Sequence, residues 1–176
     1  MGAVHESITP PVAAWIRRQH MFVVATAPLD GAGHVNVSPK GHDTLRIVDD
    51  RTVAYLDLTG SGAETIAHVR ENQRITLMWC AYEGPARIVR VHGRGEVLAV
   101  DDPMVDGLFP GYPGARAVIL VRADRVSDSC GYAVPRYSFE GDRTKLLEWS
   151  EARGPDGLAA YRAEKNATSI DGLPAI

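Results

Sequence analysis

The chain has little cysteine and no long hydrophobic run. Its 176 residues include only Cys80 and Cys130, which form no CxxC motif, so we expect reduced thiols rather than a disulfide. No stretch of 18 consecutive apolar residues occurs, which excludes an ordinary transmembrane helix. The opening MGAVHESITPP lacks a basic segment followed by an apolar one. The sequence therefore predicts a cytoplasmic protein with no membrane partner.

Positive charge is also scarce. Lys and Arg total 19 against 22 Asp and Glu, which gives a net charge of -3 and a pI near 6.1. A chain of this charge, with no basic block interleaved with aromatics, lacks the positive surface that holds nucleic acid. We predict no nucleic-acid partner and expect any bound anion to be small. With 45% hydrophobic residues, residues 1–176 are expected to form one globular domain.

Motifs of hydrolysis and metal binding are missing. The six histidines form no HExxH pattern, and no GxSxG segment surrounds a serine nucleophile. GAGHVN, residues 31–36, has two glycines of a dinucleotide-binding motif but leads into a predicted strand rather than a helix. We therefore predict no metal site, and the sequence assigns no catalytic residue.

Short runs of β-branched and aromatic residues alternate with turns along most of the chain. This pattern predicts a mainly β protein, a closed or partly closed antiparallel barrel with flanking helices. The first four runs are expected to pair in order as a meander. The predicted strands are MFVVATAPL, HVNVSPK, TLRIV, TVAYLDL, ITLMWCAY, RIVRVHGRGEVLAV and RAVILVRADRV, with a bulge or bend expected at Gly93 and Gly95, and helices are predicted to begin at Thr9, Ala63, Thr144 and Asp156.

HVNVSPK, residues 34–40, alternates with a period of two. Val35 and Val37 are predicted to face the core, while Asn36, Ser38 and Lys40 point the other way. A row of hydrogen-bonding groups that ends in a cation fits two structures equally: a solvated edge strand or the wall of an anion site.

TGSGAET, residues 59–65, places small residues immediately before a predicted helix. Backbone amides in the first turn of a helix are unpaired and carry the positive end of the helix dipole, so they can bind an anion. The alternative is a plain helix capped by Ser61 or Thr59. Because Lys40 and Ser38 precede this segment by one hairpin, a phosphate could meet a cation and free amides together.

Two further features have open alternatives. Arg87 and Arg90 are three residues apart and lie on opposite faces of a strand, so only one of them can face a ligand. The apolar end IDGLPAI is expected to dock, either on its own barrel or on a partner subunit. Asp171 within it is interpreted as a turn or cap residue.

NVSPKGHDTLRI and DLTGSGAETIAHVRENQRITLMWCAYEGPARIVRVHGRGEV resemble the pyridoxamine 5'-phosphate oxidase-like family of FMN-binding split barrels. The resemblance covers residues 10–127. The helical extension, residues 128–176, contains SCGYAVPRYSFEG and KNATSIDGLPAI, which are similar to a subgroup of bacterial and fungal members classed as oxidases. The resemblance implies a six-stranded antiparallel split β-barrel and a homodimer with FMN bound at the subunit interface.

The resemblance also implies site residues. Lys40 stands where the oxidases keep a lysine near the flavin, and Thr59 lies in the turn before the phosphate-binding helix. The family's Arg-Lys pair at that helix start is replaced by Glu64 and Thr65, and a strand arginine is replaced by Val35. Glu64 is expected to repel a phosphate unless it is turned away. The predicted cofactor-binding residues are Asn36, Ser38, Lys40, Thr59, Ser61, Gly62, Thr65 and Arg87.

A flavin carries out hydride chemistry itself and needs from the protein an apolar slot, ring-edge donors and an anion site. The resemblance therefore implies an FMN-dependent oxidoreductase that acts on a small molecule. The C-terminal arginine and histidine pattern that holds pyridoxamine phosphate is absent, so another substrate is expected. Two alternatives stay open: a protein that binds FMN or another cofactor without turnover, and a deazaflavin-dependent reductase.

Overall fold

The computed structural model describes residues 2–176. Over these residues, eight strands join into one antiparallel sheet, and three helices pack around it. The strands are β1 Val4–His5, β2 Phe22–Thr26, β3 Asn36–Lys40, β4 Leu45–Ile47, β5 Thr52–Leu58, β6 Arg74–Cys80, β7 Ile88–Leu98 and β8 Ala115–Ser129; the helices are α1 Pro10–Ile16, α2 Glu64–Asn72 and α3 Lys145–Lys165.

The sheet is curled but open, because the strand order is β3-β2-β6-β7-β8-β5-β4, with β1 paired to β8. This is the predicted split-barrel fold. Six of the eight strands have five or more residues, which matches the six-stranded expectation. The predicted meander is wrong: β3 pairs with β2 and β4 pairs with β5, at opposite edges of the sheet. The chain crosses the barrel between Lys40 and Leu45.

Strands β5 and β8 are buried on both faces. Alternate side chains of β5, Val53 and Tyr55, enter the main core inside the barrel. The side chains between them, Ala54 and Leu56, join a second cluster with Phe109 from the loop that follows β7. The loop therefore covers the outer face of these strands, which explains their continuous apolar runs.

The glycines of β7 allow a close approach to β8. The register between β7 and β8 shifts between His92 and Gly93, as expected for the predicted bulge. A Cβ atom at Gly93 would collide with the backbone carbonyl of Arg122. The two cysteines are free thiols, with Cys80 half-buried and Cys130 exposed.

Strand β3 is oriented opposite to the prediction. Val35 and Val37 are 69% and 63% exposed, whereas Asn36, Ser38 and Lys40 are partly buried. The prediction that the valines face the core is therefore wrong. The physical reason is that the polar side chains enter a hydrogen-bond network beneath the sheet edge, which leaves the apolar face uncovered within one chain.

Helix α3 is broken at its centre. Gly154 has φ 63° and ψ 176°, outside the helical region, and Pro155 follows it. Glycine is favoured there because other residues rarely adopt positive φ. The two helical segments predicted from the sequence, ending at Gly154 and Asn166, are thus the two halves of α3.

The C-terminal segment docks on its own barrel. Ala175 is fully buried, and its carbonyl accepts a hydrogen bond from Arg70 on α2. Thr168 and Pro174 form an isolated β-bridge that closes the segment into a loop. Of the two alternatives for IDGLPAI, the chain's own barrel is therefore the surface it contacts.

Candidate functional site

Three of the predicted site residues meet in one hydrogen-bond network beneath β3. The Asn36 amide donates to the hydroxyls of Thr26 (3.0 Å) and Thr65 (2.9 Å). Ser38 donates to the Asn36 carbonyl oxygen at 3.0 Å. The network ties the start of α2 to the edge of the sheet and holds the polar face of β3 inward.

His68 on α2 extends this network into the core and was not predicted. It is fully buried, and its Nδ1 lies 3.0 Å from the Thr26 hydroxyl. Because that hydroxyl already accepts from Asn36, its own proton points to Nδ1, which assigns the imidazole proton to Nε2. Nε2 has no partner among the described residues. Burial lowers the pKa of His68, so this histidine is neutral at pH 7.

The first turn of α2 is free of side-chain caps. Ala63 occupies the N-cap position and makes no capping hydrogen bond. The alternative of a helix capped by Ser61 or Thr59 is therefore wrong. A Cβ atom built at Gly60 would meet nothing within 4 Å, so the turn is open to an approaching group. Unpaired amides at an open turn are the geometry of an anion site.

Residues far along the chain hold the turn from behind. Arg162 donates to the Thr59 hydroxyl (2.9 Å), and Asn166 donates to the Gly60 carbonyl (2.9 Å). Arg116 donates to the Gly62 carbonyl at 2.9 Å. The last turn of α3 thus fixes the backbone of residues 59–62. Sequence reasoning missed all three, because they lie more than 50 residues from the turn.

Lys40 and Arg116 share one carboxylate. Asp57 is 1% exposed and accepts from Lys40 through Oδ1 (3.2 Å) and from Arg116 through Oδ2 (2.7 Å). With two cations around one anion, the group carries a net positive charge. The Lys40 side chain is 21% exposed, so this charge reaches the surface beside the turn.

Glu64 is not turned away from the turn. Its carboxylate lies against the backbone of Gly62, and it lines a cavity of about 420 Å³. No hydrogen bond or ion pair with residues 2–176 holds it. We call this space the β3 cavity, and its lining residues are His34, Val35, Asn36, Val37, Ser61, Gly62, Glu64 and Ile170.

The C-terminal loop closes one side of the β3 cavity. Asp171 accepts hydrogen bonds from the His34 backbone (2.8 Å) and from its ring nitrogen Nδ1 (2.6 Å). The bond from the His34 ring is the largest cause that lowers the pKa of Asp171. Asp171 therefore anchors the loop to the start of β3.

Arg87 lies apart from the other predicted residues within one chain. Its guanidinium binds Asp128 at 2.6 Å and lies 5.3 Å from the ring centre of Trp15. The remaining predicted residues surround α2: Asn36, Ser38 and Thr65 in the network, Lys40 on Asp57, and Thr59, Ser61 and Gly62 in the turn. In the described part of the chain, no cluster of histidine, cysteine and acidic side chains is suited to a metal ion.

Comparison with known proteins identifies the family. Residues 8–130 match the family model described as pyridoxamine 5'-phosphate oxidase. The chain belongs to this family. Its members typically use a flavin as cofactor. The pyridoxamine 5'-phosphate oxidase family protein ustO of Aspergillus flavus is 35% identical over 198 aligned positions, which cover 100% of this chain and 78% of that protein.

Solved structures show the same fold. HupZ of Group A Streptococcus has a TM-score of 0.54 at 23% identity, covering 69% of this chain and 99% of that chain. An FAD-binding protein from Mycobacterium smegmatis has a TM-score of 0.50 at 10% identity, covering 70% of this chain and 96% of that chain. At these identities, the likeness establishes the split barrel of the pyridoxamine 5'-phosphate oxidase family alone. Over residues 2–176, no helix combines the length and the apolar character needed to cross a bilayer.

The turn fits the phosphate group of the family's flavin. Uncapped amides of α2, the open surface at Gly60 and the ammonium group of Lys40 supply free donors and positive charge. Glu64 opposes an anion, but its side chain is flexible and unrestrained, so it can move aside at a moderate cost. The fit is therefore that of a site with weakened charge complementarity.

Proposed function

We propose that the protein is a flavin-dependent oxidoreductase that binds FMN and acts on a small molecule. The observation that carries this proposal is the uncapped start of α2 beside Lys40, in a chain of the pyridoxamine 5'-phosphate oxidase family. A helix start with free amides and an adjacent cation is a site for a phosphate group. FMN is the flavin with one terminal phosphate.

Each part of the site has a separate task. The amides of α2 and Lys40 bind the phosphate, and Ser61 adds a hydroxyl at the same turn. Arg116, Arg162 and Asn166 hold that turn in place from behind. Asn36 and Ser38 are the polar groups of β3 nearest to the cavity and orient a planar ring along the strand. A bound flavin supplies the hydride chemistry.

We also propose that the protein is a homodimer with the cofactor at the subunit interface. The β3 cavity is lined by Val35 and Val37, which are largely exposed in one chain. They lie at an open sheet edge, where apolar side chains favour association. A second copy against β3 would cover the valines and close the cavity. In this arrangement, Arg87 reaches the cofactor only from the second subunit.

Titration of the purified apoprotein with FMN, followed by flavin fluorescence, tests the proposal. We expect saturable binding that is weaker for riboflavin, because riboflavin lacks the phosphate. Equal affinity for both would contradict the assignment of the turn. No binding of either would contradict the flavin proposal itself and favour a deazaflavin, which the same titration can examine. Tight FMN binding without turnover of any electron donor would favour the non-catalytic alternative.

Pyridoxamine 5'-phosphate is excluded as the substrate in this proposal. The C-terminal arginine and histidine pattern of the oxidases is absent, and an oxidase must orient that substrate over the flavin to lower the barrier. We expect FMN-loaded protein to form pyridoxal 5'-phosphate with a kcat/KM below about 10⁴ M⁻¹s⁻¹, the lower end for ordinary enzymes. A higher value would show that another part of the chain holds the substrate.

A further inference from the structure

A second cavity lies on the other side of the turn at residues 59–61, with a volume of about 460 Å³. We call it the α3 pocket. Ser61 lines both this pocket and the β3 cavity, so the two spaces meet at the same turn. Its lining residues are His42, Thr59, Gly60, Ser61, Arg143, Lys145, Leu146, Trp149 and Tyr161.

The break in α3 forms the aromatic wall of the pocket. Trp149 and Tyr161 are twelve residues apart in the sequence, a separation of about 18 Å along a straight helix. Their ring centres are only 5.0 Å apart, in an edge-to-face arrangement. The positive φ at Gly154 therefore folds the two halves of α3 toward each other. Arg153, next to the break, lies 4.6 Å from the Trp149 ring centre and 4.9 Å from that of Tyr161.

Two cations of the pocket are not neutralised by the protein. Arg143 and Lys145 are exposed, and neither forms an ion pair with any residue from 2 to 176. The nearest acids in sequence are otherwise engaged. Asp142 accepts from the backbone amide of His42 at 3.2 Å, and Glu148 accepts from the Thr144 hydroxyl at 2.6 Å. Neither acid lines the pocket.

His42 adds a further feature of a built site. Its backbone has φ 58°, which is uncommon for a residue other than glycine and carries a conformational cost. The hydrogen bond from its amide to Asp142 holds this conformation. The segment that carries Arg143 is therefore tied to the end of β3, and the pocket is closed on that side by a fixed backbone contact.

We propose that the α3 pocket binds a planar aromatic molecule that carries one carboxylate or phosphate. Trp149 and Tyr161 supply surfaces for the ring, and Arg143 and Lys145 pair with the anionic group. The volume suits one or two fused rings. A ligand in this position lies beside the turn to which the flavin phosphate is assigned, although the pocket's own residues recognise it whether or not a flavin is present.

Three naphthalene derivatives test the site by calorimetric titration of the full chain: 1-naphthoate, 1-naphthyl phosphate and uncharged 1-naphthol. We expect an anion to bind more tightly than naphthol. The variant R143Q/K145Q should weaken its binding by at least about tenfold, the scale of lost charge-assisted hydrogen bonds. Preference for naphthoate or for naphthyl phosphate identifies the anionic group that the site recognises.

The matched control is R17Q/R136Q, which removes two positive charges from exposed arginines outside the pocket. It should change anion affinity by less than about twofold, the range of screened surface charge. A further variant, W149L, should weaken binding of the anions while keeping both cations. The proposal is overturned if no anion binds, if naphthol binds as tightly as the anions, or if R143Q/K145Q binds them unchanged. Failure of FMN to bind would leave this result standing and would count only against the flavin proposal.

Discussion

Lys40 donates to Asp57 at 3.2 Å, although the Asp57 side chain is 1% exposed and already bound to Arg116. The buried carboxylate thus has a permanent partner in Arg116, while the more exposed Lys40 is its second cation. An approaching phosphate can take Lys40 without leaving Asp57 unpaired. This division distinguishes the two cations: Arg116 is structural, and Lys40 is available to a ligand.

Replacement of Lys40 by alanine is expected to weaken FMN binding by about 1 to 3 kcal/mol, the value of a hydrogen bond to a charged group. Riboflavin affinity should change little, because it lacks the phosphate. Fluorescence titration of the apoprotein measures both. K40R should retain most of the affinity, since it keeps the charge. If K40A binds FMN as well as the parent protein, Lys40 does not belong to the cofactor site.

Replacement of Glu64 by glutamine is expected to strengthen FMN binding by about 1 kcal/mol at low salt, because it removes a negative charge that lines the cavity. The gain should shrink as salt is added. The same change should lower the free energy of unfolding by about 0.3 to 1 kcal/mol, since Glu64 complements the positive end of the α2 dipole. Parallel titrations and denaturant curves separate the two effects. Unchanged FMN affinity at low salt would place the phosphate away from α2.

Replacement of Val37 by lysine is expected to dissociate the proposed homodimer, because a charge would be buried where β3 meets the second copy. Light scattering should then give a mass near 19.1 kDa, the mass of one chain. V48K is a suitable control: Val48 is 46% exposed and follows β4, at the opposite edge of the sheet. It should keep the parent mass. A parent protein that is itself monomeric would refute the dimer.

Stability should fall on mild acidification because two histidines are held neutral. Burial is the largest cause that lowers the pKa of His68, and it also lowers the pKa of His92, with Arg125 and Arg90 adding repulsion. Below about pH 6.5, the ordinary histidine pKa, the unfolded chain takes up protons that the folded chain resists. The free energy of unfolding therefore decreases as pH falls from about 6.5 toward the folded pKa values.

Denaturant unfolding at several pH values between about 7.5 and 5 measures this loss. The variant H68Q should show a shallower decrease than the parent protein. The exposed His20 provides the control, and H20Q should retain the parent slope. An H68Q slope equal to that of the parent would show that His68 protonates as readily in the folded state as in the unfolded one.

Local patterns predicted the elements, but not how distant ones meet. Runs of β-branched residues marked the strands of the barrel, and the two glycines before Ala63 marked the start of α2. The pairing of β3 with β2 alone, and the crossing to β4, depend on contacts between residues far apart. The alternation at Val35 and Asn36 predicted two faces but not which one is buried, because Thr26, Thr65 and His68 are contributed by other elements.

The candidate site was predicted in part for the same reason. The turn at residues 59–62 and Lys40 come from a short stretch with a recognisable pattern. Arg116, Arg162 and Asn166 have no local signature, since an arginine on a strand or helix is most often a surface residue. Only the folded chain shows that they hold the turn.

The break at Gly154 links two positions that would otherwise be independent in evolution. Trp149 and Tyr161 contact each other only because glycine at 154 permits the reversal between the halves of α3. Relatives that keep this glycine should keep aromatic residues at both positions and change them together. Relatives with a straight helix have no reason to conserve the pair. Covariation among the three positions across many sequences would thus trace which branches of the family inherited the α3 pocket.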